Sequence, residues 1–164
     1  MSILMEKEVT IDRIIAANYD VFKALDDPIR GKIVQLLNKK QLNVEQITRR
    51  LKKFGYKKAV TTIRHHIEIL KDSGLIEIVR IEESRGAITK YYGSSTKLLD
   101  FTLPLDFDEN YSKLISKTSL KLGKVIGPIL KNFSKTRKIQ QINYNNYIIM
   151  EIINRAVTNL LEKK

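Results

Sequence analysis

The stretch from residue 38 to residue 66 has the clearest chemistry in the chain, because its charge is almost entirely positive. It contains nine lysines and arginines and a single acid, Glu45, so its local charge of +8 is most of the whole-chain +12. Such a dense cluster of cations is suited to binding a polyanion, because it neutralises phosphate groups. Simple solubility is the alternative explanation of these charges. The residues predicted here to contact DNA phosphates are Arg49, Arg50, Lys52, Lys53, Lys57 and Lys58.

A group of polar residues just after these cations could read the edges of bases. A helix is predicted from about residue 59 to 72, with apolar residues at three- and four-residue spacings that define a buried stripe. Recognition helices contact bases mainly through their N-terminal residues, and an arginine such as Arg64 can donate two hydrogen bonds to guanine. A solvated face that contacts only phosphates is the alternative. The predicted base contacts, which lie opposite or beside the stripe, are Thr61, Thr62, Arg64 and His65.

The elements that must position these residues follow from caps and periodicity. A first helix is predicted over 9–25, and Asp27 and Pro28 supply the N-cap and first turn of a second. A third begins near Asn43 and ends at Gly55, a residue suited to a left-handed C-cap. After the fourth helix, two β-rich segments flank a turn at residues 84–87, which predicts a hairpin over 76–92. Two cations of this hairpin are further predicted phosphate contacts: Arg85 and Lys90.

Several short motifs occur in a characteristic order within this region. They are Asp27-Pro28-Ile29-Arg30, Leu36-Leu37, Val44-Glu45-Gln46-Ile47, Leu51, Arg64-His65-His66-Ile67-Glu68-Ile69-Leu70 and Ser73-Gly74-Leu75-Ile76. Over about residues 20–95 the chain resembles the ArsR-type winged helix-turn-helix transcriptional regulators of bacteria and archaea. The resemblance implies a homodimer on double-stranded DNA, with the fourth helix in the major groove and the hairpin, or wing, on the flanking backbone or minor groove.

The metal-sensing activity of many ArsR-type regulators is not expected here. The chain has no cysteine, and its two histidines are adjacent, so on a helix they point about 100° apart and make a poor chelate. His66 is predicted to be packed or to contact phosphate. We predict no metal site and no cofactor, and we predict that the protein is not an enzyme, because it lacks a glycine-rich phosphate loop and a Cys/His pair. A small-molecule effector is left open.

The segment from residue 113 to 138 is the second unusual feature, with eight cations and no acid. On an ideal helix its lysines lie on one side and its apolar residues on the other, so it could lie on an anionic membrane, follow DNA phosphates or pack against a partner. We favour packing between two copies of the chain. A last helix, over about 143–161, has heptad-like apolar positions, although packing against its own winged domain explains them nearly as well. The predicted dimerisation residues are Ile126, Ile129, Phe133, Ile142, Ile149, Ile153 and Leu160.

Together these features predict a mainly α fold with a small β-hairpin. We expect a winged helix-turn-helix domain over 9–100 and a C-terminal helical dimerisation element over 105–164. No export signal and no apolar run long enough for a membrane span is found in the sequence, so a cytoplasmic, nucleoid-associated protein is expected. The predicted function is sequence-specific transcriptional regulation as a homodimer. An architectural DNA-binding protein with little sequence specificity is the alternative.

Overall fold

The computed structural model describes residues 14–133 and 139–162. The chain divides into two compact units, of which one spans Ala17–Phe101 and the other contains the chain from Thr102 onward. The first unit has four helices and three strands: α1 (Tyr19–Leu25), α2 (Pro28–Leu36), β1 (Leu42–Asn43), α3 (Val44–Lys53), α4 (Val60–Asp72), β2 (Glu77–Ser84) and β3 (Ala87–Gly93). The described part of the second unit contains two long helices, α5 (Phe107–Phe133) and α6 (Ile139–Glu162). The predicted fold class, a winged helix-turn-helix domain followed by C-terminal helices, is confirmed.

The ends of α2 and α3 are determined locally, as the sequence predicts. Asp27 is the N-cap of α2, and its Oδ1 accepts a hydrogen bond from the Ile29 backbone N–H at 2.7 Å. Asn43 forms a reciprocal capping box with Gln46 at the start of α3. Gly55 ends α3 with a left-handed φ of +88°, a conformation that costs glycine little because it has no Cβ.

Two elements differ from the sequence prediction. The first helix begins at Tyr19 and not near residue 9: residues 14–18 are not helical, and residues 9–13 lie outside the described residues. Asn18 accounts for the later start, because its backbone is extended and its side chain accepts a hydrogen bond from the Val21 N–H. The second difference is β1, which pairs Leu42 with Tyr92 of β3. A two-residue strand is too short to leave a periodic pattern.

The core of the first unit lies between α2, α3 and α4. Each helix contributes side chains that are essentially inaccessible to solvent, and these are Ile33 and Val34, Ile47 and Leu51, and Ile63, Ile67 and Leu70. Burying a large aliphatic side chain stabilises the fold by about 1.5–3 kcal/mol. This packing therefore fixes which face of α4 points outward.

The wing is an antiparallel hairpin of β2 and β3 joined by a two-residue turn. Arg85 and Gly86 both have positive φ, at 51° and 77°, which matches the mirror-image turn that suits the twist of paired strands. A register shift between Ile78 and Arg80 marks a bulge in β2. The Arg85 side chain is consequently carried at the exposed tip of the wing.

In the second unit, α5 and α6 contact each other, and α5 contains Pro128. Large apolar side chains remain exposed on both helices, among them Leu120, Val125, Leu160 and Leu161. Nowhere in residues 14–133 and 139–162 does a helix combine the length and the apolar character needed to cross a membrane.

His66 is buried where α4 packs near the N-terminus of α2, as the prediction of a packed residue anticipated; it is 8% exposed. Its Nδ1 lies 3.9 Å from Oδ2 of Asp27, too far for a hydrogen bond, and this buried nitrogen has no hydrogen-bond partner. Burial lowers the pKa of His66 below its usual value, and the Asp27 carboxylate partly opposes this effect. Positive charge on Arg30, His65 and Lys58 lowers the pKa of His66 further. Neutral His66 is thus the form that the folded domain favours.

The buried histidine should make the stability of the domain depend on pH. Because the folded-state pKa of His66 is depressed, the unfolded chain binds the proton more readily, so folding is favoured above pH of about 6.5 and loses this contribution as pH falls. Urea unfolding of the wild type at pH 7.5 and 5.5 should show a lower free energy of unfolding at the lower pH. His66→Gln should reduce this difference, whereas the control His65→Gln, at an exposed position, should retain it. Equal pH dependence in wild type and His66→Gln would contradict the assignment to His66.

Candidate nucleic-acid interface

The outward face of α4 carries the residues that were predicted to contact bases. Thr61, Arg64 and His65 are exposed, and Thr62 is half-buried. All four lie in the N-terminal half of the helix, the part that recognition helices insert deepest into the major groove. Ala59, the N-cap, provides no side-chain hydrogen bond to the first turn of α4. The backbone N–H groups of that first turn can therefore donate hydrogen bonds to an anion.

A groove of about 470 Å³ joins this face to the wing. Arg64 lies on one side of it, and Thr89 and Lys90 of β3 lie on the other. The start of α3 closes the groove with Asn43 and Glu45. The fold therefore brings one predicted base contact and one predicted phosphate contact together, although they are far apart in the sequence.

The predicted phosphate contacts do not form one surface. Arg49, Arg50 and Lys53 line a different groove, between α3 and the end of α2, which they share with Lys40. Lys57 and Lys58 are exposed in the connection that leads directly into α4. The wing contributes Arg85 and Lys90, both exposed, and Lys52 is exposed near the end of α3.

The side chains of Arg80, Glu82 and Tyr91 form a cluster on the wing. The Arg80 guanidinium lies 3.9 Å from the centroid of the Tyr91 ring, and it pairs with Glu82 at 3.2 Å. The Tyr91 hydroxyl donates a hydrogen bond to Glu82 at 2.8 Å, which raises the pKa of Tyr91. Because a bulge follows Ile78, simple alternation along β2 could not have predicted that Arg80 lies opposite Tyr91.

The predicted dimerisation residues differ in how much surface they present. Ile142 and Leu160 are 44% and 77% exposed, whereas Ile126, Ile129 and Ile153 are half-buried. Ile149 is buried within its own chain, and the Phe133 side chain lies outside the described residues. Asn146 is exposed, while its neighbour Asn145 is buried and accepts a hydrogen bond from Gln141.

No metal centre is formed by the described residues. Within 14–133 and 139–162, no three His, Asp or Glu side chains are grouped closely enough to hold an ion. His65 and His66 have ring centroids 6.4 Å apart, and only His66 is buried. The exposed residues of these surfaces can donate hydrogen bonds and neutralise anions.

Comparison with known proteins agrees with the architecture. Residues 25–79 match the family model of a helix-turn-helix domain, and regulators built on this domain are typically non-enzymatic. No curated protein matches the chain. Among solved structures, the chain is similar to the homodimeric winged helix-turn-helix DNA-binding domain of a possible ArsR-family transcriptional regulator from Mycobacterium bovis, at 21% identity and a TM-score of 0.35, covering 64% of this chain and 81% of that one.

The assignment of the domain rests on the family match and on the order of the helices and strands. The match covers the segment from the end of α1 to the first residues of β2, and the wing follows directly. Residues 25–79 thus match the model of a helix-turn-helix domain, and the hairpin that follows α4 gives this segment the winged architecture expected from the resemblance to ArsR-type regulators.

Proposed function

We propose that this protein is a sequence-specific transcriptional regulator that binds double-stranded DNA as a homodimer. The observation that carries the proposal is the groove in which Arg64 of α4 faces Lys90 of the wing. A residue able to read guanine and a residue able to hold a phosphate thus share one surface. Thr61 and His65 extend this surface along the exposed face of α4.

The dimensions of α4 suit insertion into DNA. With thirteen residues and a rise of about 1.5 Å per residue, it is about 20 Å long, and the major groove of B-DNA is about 12 Å wide. Thr61, Thr62, Arg64 and His65 would contact base edges. Lys57 and Lys58, immediately before α4, would contact the adjacent phosphates and set its depth.

The distribution of charge favours an orientation in which α4, more than the wing, faces the duplex. The wing carries three acids, Glu77, Glu82 and Glu83, and the three cations Arg80, Arg85 and Lys90, so its charges cancel. The uncompensated positive charge next to α4 comes instead from Lys57 and Lys58 in the connection that precedes it. The architectural alternative is favoured by a separate observation, the exposed lysines along α5: Lys113, Lys117, Lys121 and Lys124.

The homodimer is proposed from the second unit. Exposed apolar side chains on α5 include Leu120, Leu122 and Val125, and α6 exposes Ile142, Ile152 and Leu160. Large apolar side chains exposed in this number are typical of an interaction site. A second copy of the same helices would cover it symmetrically and would present two recognition helices to a two-fold symmetric operator.

The assignment of base reading to Arg64 can be tested with a duplex selected from a random library. Arg64→Gln should reduce the ratio of specific to random binding by about tenfold or more, because it removes a bidentate contact worth about 1–3 kcal/mol. The matched control Lys58→Gln also removes one charge. This variant should weaken binding to both duplexes alike. It should also lower the steepness of the plot of log K against log salt concentration by about 0.9. Fluorescence anisotropy across a salt series measures both quantities.

Two outcomes of the salt series would contradict the proposal. A specific-to-random ratio near one at every salt concentration would favour the architectural alternative. Failure of any duplex to bind at low salt would remove the DNA-binding function itself. Both variants change exposed side chains, so a free energy of urea unfolding within about 0.5 kcal/mol of the wild-type value should confirm that each has folded.

Dimerisation can be tested on α6 of the full chain. Leu160→Glu places a charge on an apolar residue that is 77% exposed, so it should shift sedimentation towards the monomer. The control Asn159→Glu introduces the same charge at the adjacent exposed polar position and should leave the dimer intact. A wild-type protein that sediments as a monomer at micromolar concentration, or a dimer unaffected by Leu160→Glu, would contradict this interface.

A further inference from the structure

A second groove lies on the side of α3 that packs beside the end of α2. Its volume is about 480 Å³, within the range of small-ligand sites. Four cations line it, Lys40, Arg49, Arg50 and Lys53, together with Gln46 and the ring of Phe54. None of the residues that line it belongs to α4 or to the wing, so it is separate from the groove of the proposed function.

The charge in this groove is not compensated by the protein. No acidic residue lines it, and within residues 14–133 and 139–162 no ion pair joins any of its four cations to a carboxylate. Like charges held close together repel one another, and an anion bound between them would remove that cost. The groove therefore has the electrostatics of an anion site.

Local structure holds these side chains in place. Residues 46, 50 and 53 are spaced by four and three along α3, so they share one face of the helix. The capping box fixes Gln46, whose Oε1 accepts the Asn43 N–H at 3.0 Å while its Nε2 is a donor. At the end of α2, Lys39 adopts a left-handed φ of 55°, and the turn that follows leads Lys40 to the edge of the groove.

The donor set suits the oxygens of phosphate groups. Two arginines can each give paired N–H donors to phosphate oxygens, and two lysines supply point charges around them. Four cations exceed what one phosphate requires, which points to neighbouring phosphate groups.

We propose that the groove between α2 and α3 binds a ligand with adjacent phosphate groups, at a site distinct from the recognition surface. Two sources share this chemistry: a free polyphosphate or nucleotide, and the backbone of a second nucleic-acid segment. The proposal does not depend on base reading by Arg64. In either case the bound protein would hold phosphates on two separate surfaces.

Calorimetry of the full chain with inorganic tripolyphosphate at low salt tests this site. Arg50→Gln/Lys53→Gln removes two groove cations and should weaken binding by about tenfold or more, because charge-assisted hydrogen bonds are lost. The matched control Lys57→Gln/Lys58→Gln removes the same charge outside the groove and should weaken binding by less than about threefold, through long-range attraction alone. Arg64→Gln should behave like this control, which separates the test from that of the proposed function.

The two sources are distinguished by repeating the titration with saturating random duplex. Unchanged tripolyphosphate affinity would indicate a site for a free polyphosphate. Loss of that affinity, together with weaker duplex binding by the groove variant, would indicate a nucleic-acid backbone.

Equal losses in the two double variants, or no binding of tripolyphosphate by the wild type, would overturn the proposal. If Arg50→Gln/Lys53→Gln fails to fold, Lys40→Gln/Arg49→Gln provides a second test on the same groove. Urea unfolding midpoints confirm that each variant compared has folded.

Discussion

The packing of α4 against α2 and α3 is the constraint on which the rest of the first unit depends. Ile63, Ile67 and Leu70 lie in a single stripe and are almost completely inaccessible to solvent. Because residues on an α-helix follow one another at about 100°, burying this stripe fixes the rotation of the helix about its axis. Thr61 and His65 are exposed as a consequence. The core, more than the polar residues themselves, determines which side chains the domain can offer to a ligand.

The same constraint separates the positive charge into distinct surfaces. In α3, Ile47 and Leu51 are buried in the core, and the residues on either side of this buried face line different grooves. Glu45 lines the groove beside the wing, whereas Arg50 lines the groove beside α2. Residues of α3 thereby line two separate grooves. Only one of them adjoins the recognition helix, and the other needs no part of it. The net charge of the chain therefore indicates that it attracts phosphate, but it does not indicate on which surfaces the cations lie.

Much of the winged domain was predictable, because its elements begin and end through local interactions. Asp27 and Asn43 cap helices through hydrogen bonds to residues two or three positions away, and Gly55 ends α3 through its own backbone conformation. Each of the three has the predicted role. The prediction was wrong for the start of α1, where the apolar pattern continued but the cap at Asn18 decided the boundary. It missed β1, since a strand of two residues exists only through its pairing with β3.

The sequence by itself therefore determined the helices, the hairpin and the buried face of each helix, because caps and periodicity depend on residues close together in the chain. Only the tertiary structure decided that Arg64 and Lys90 line one groove, that Lys40 and Arg50 line another, and that His66 lies near Asp27. Each of these pairs joins residues on different elements. Their distances are set by how the elements pack, and no local pattern of residues encodes that packing.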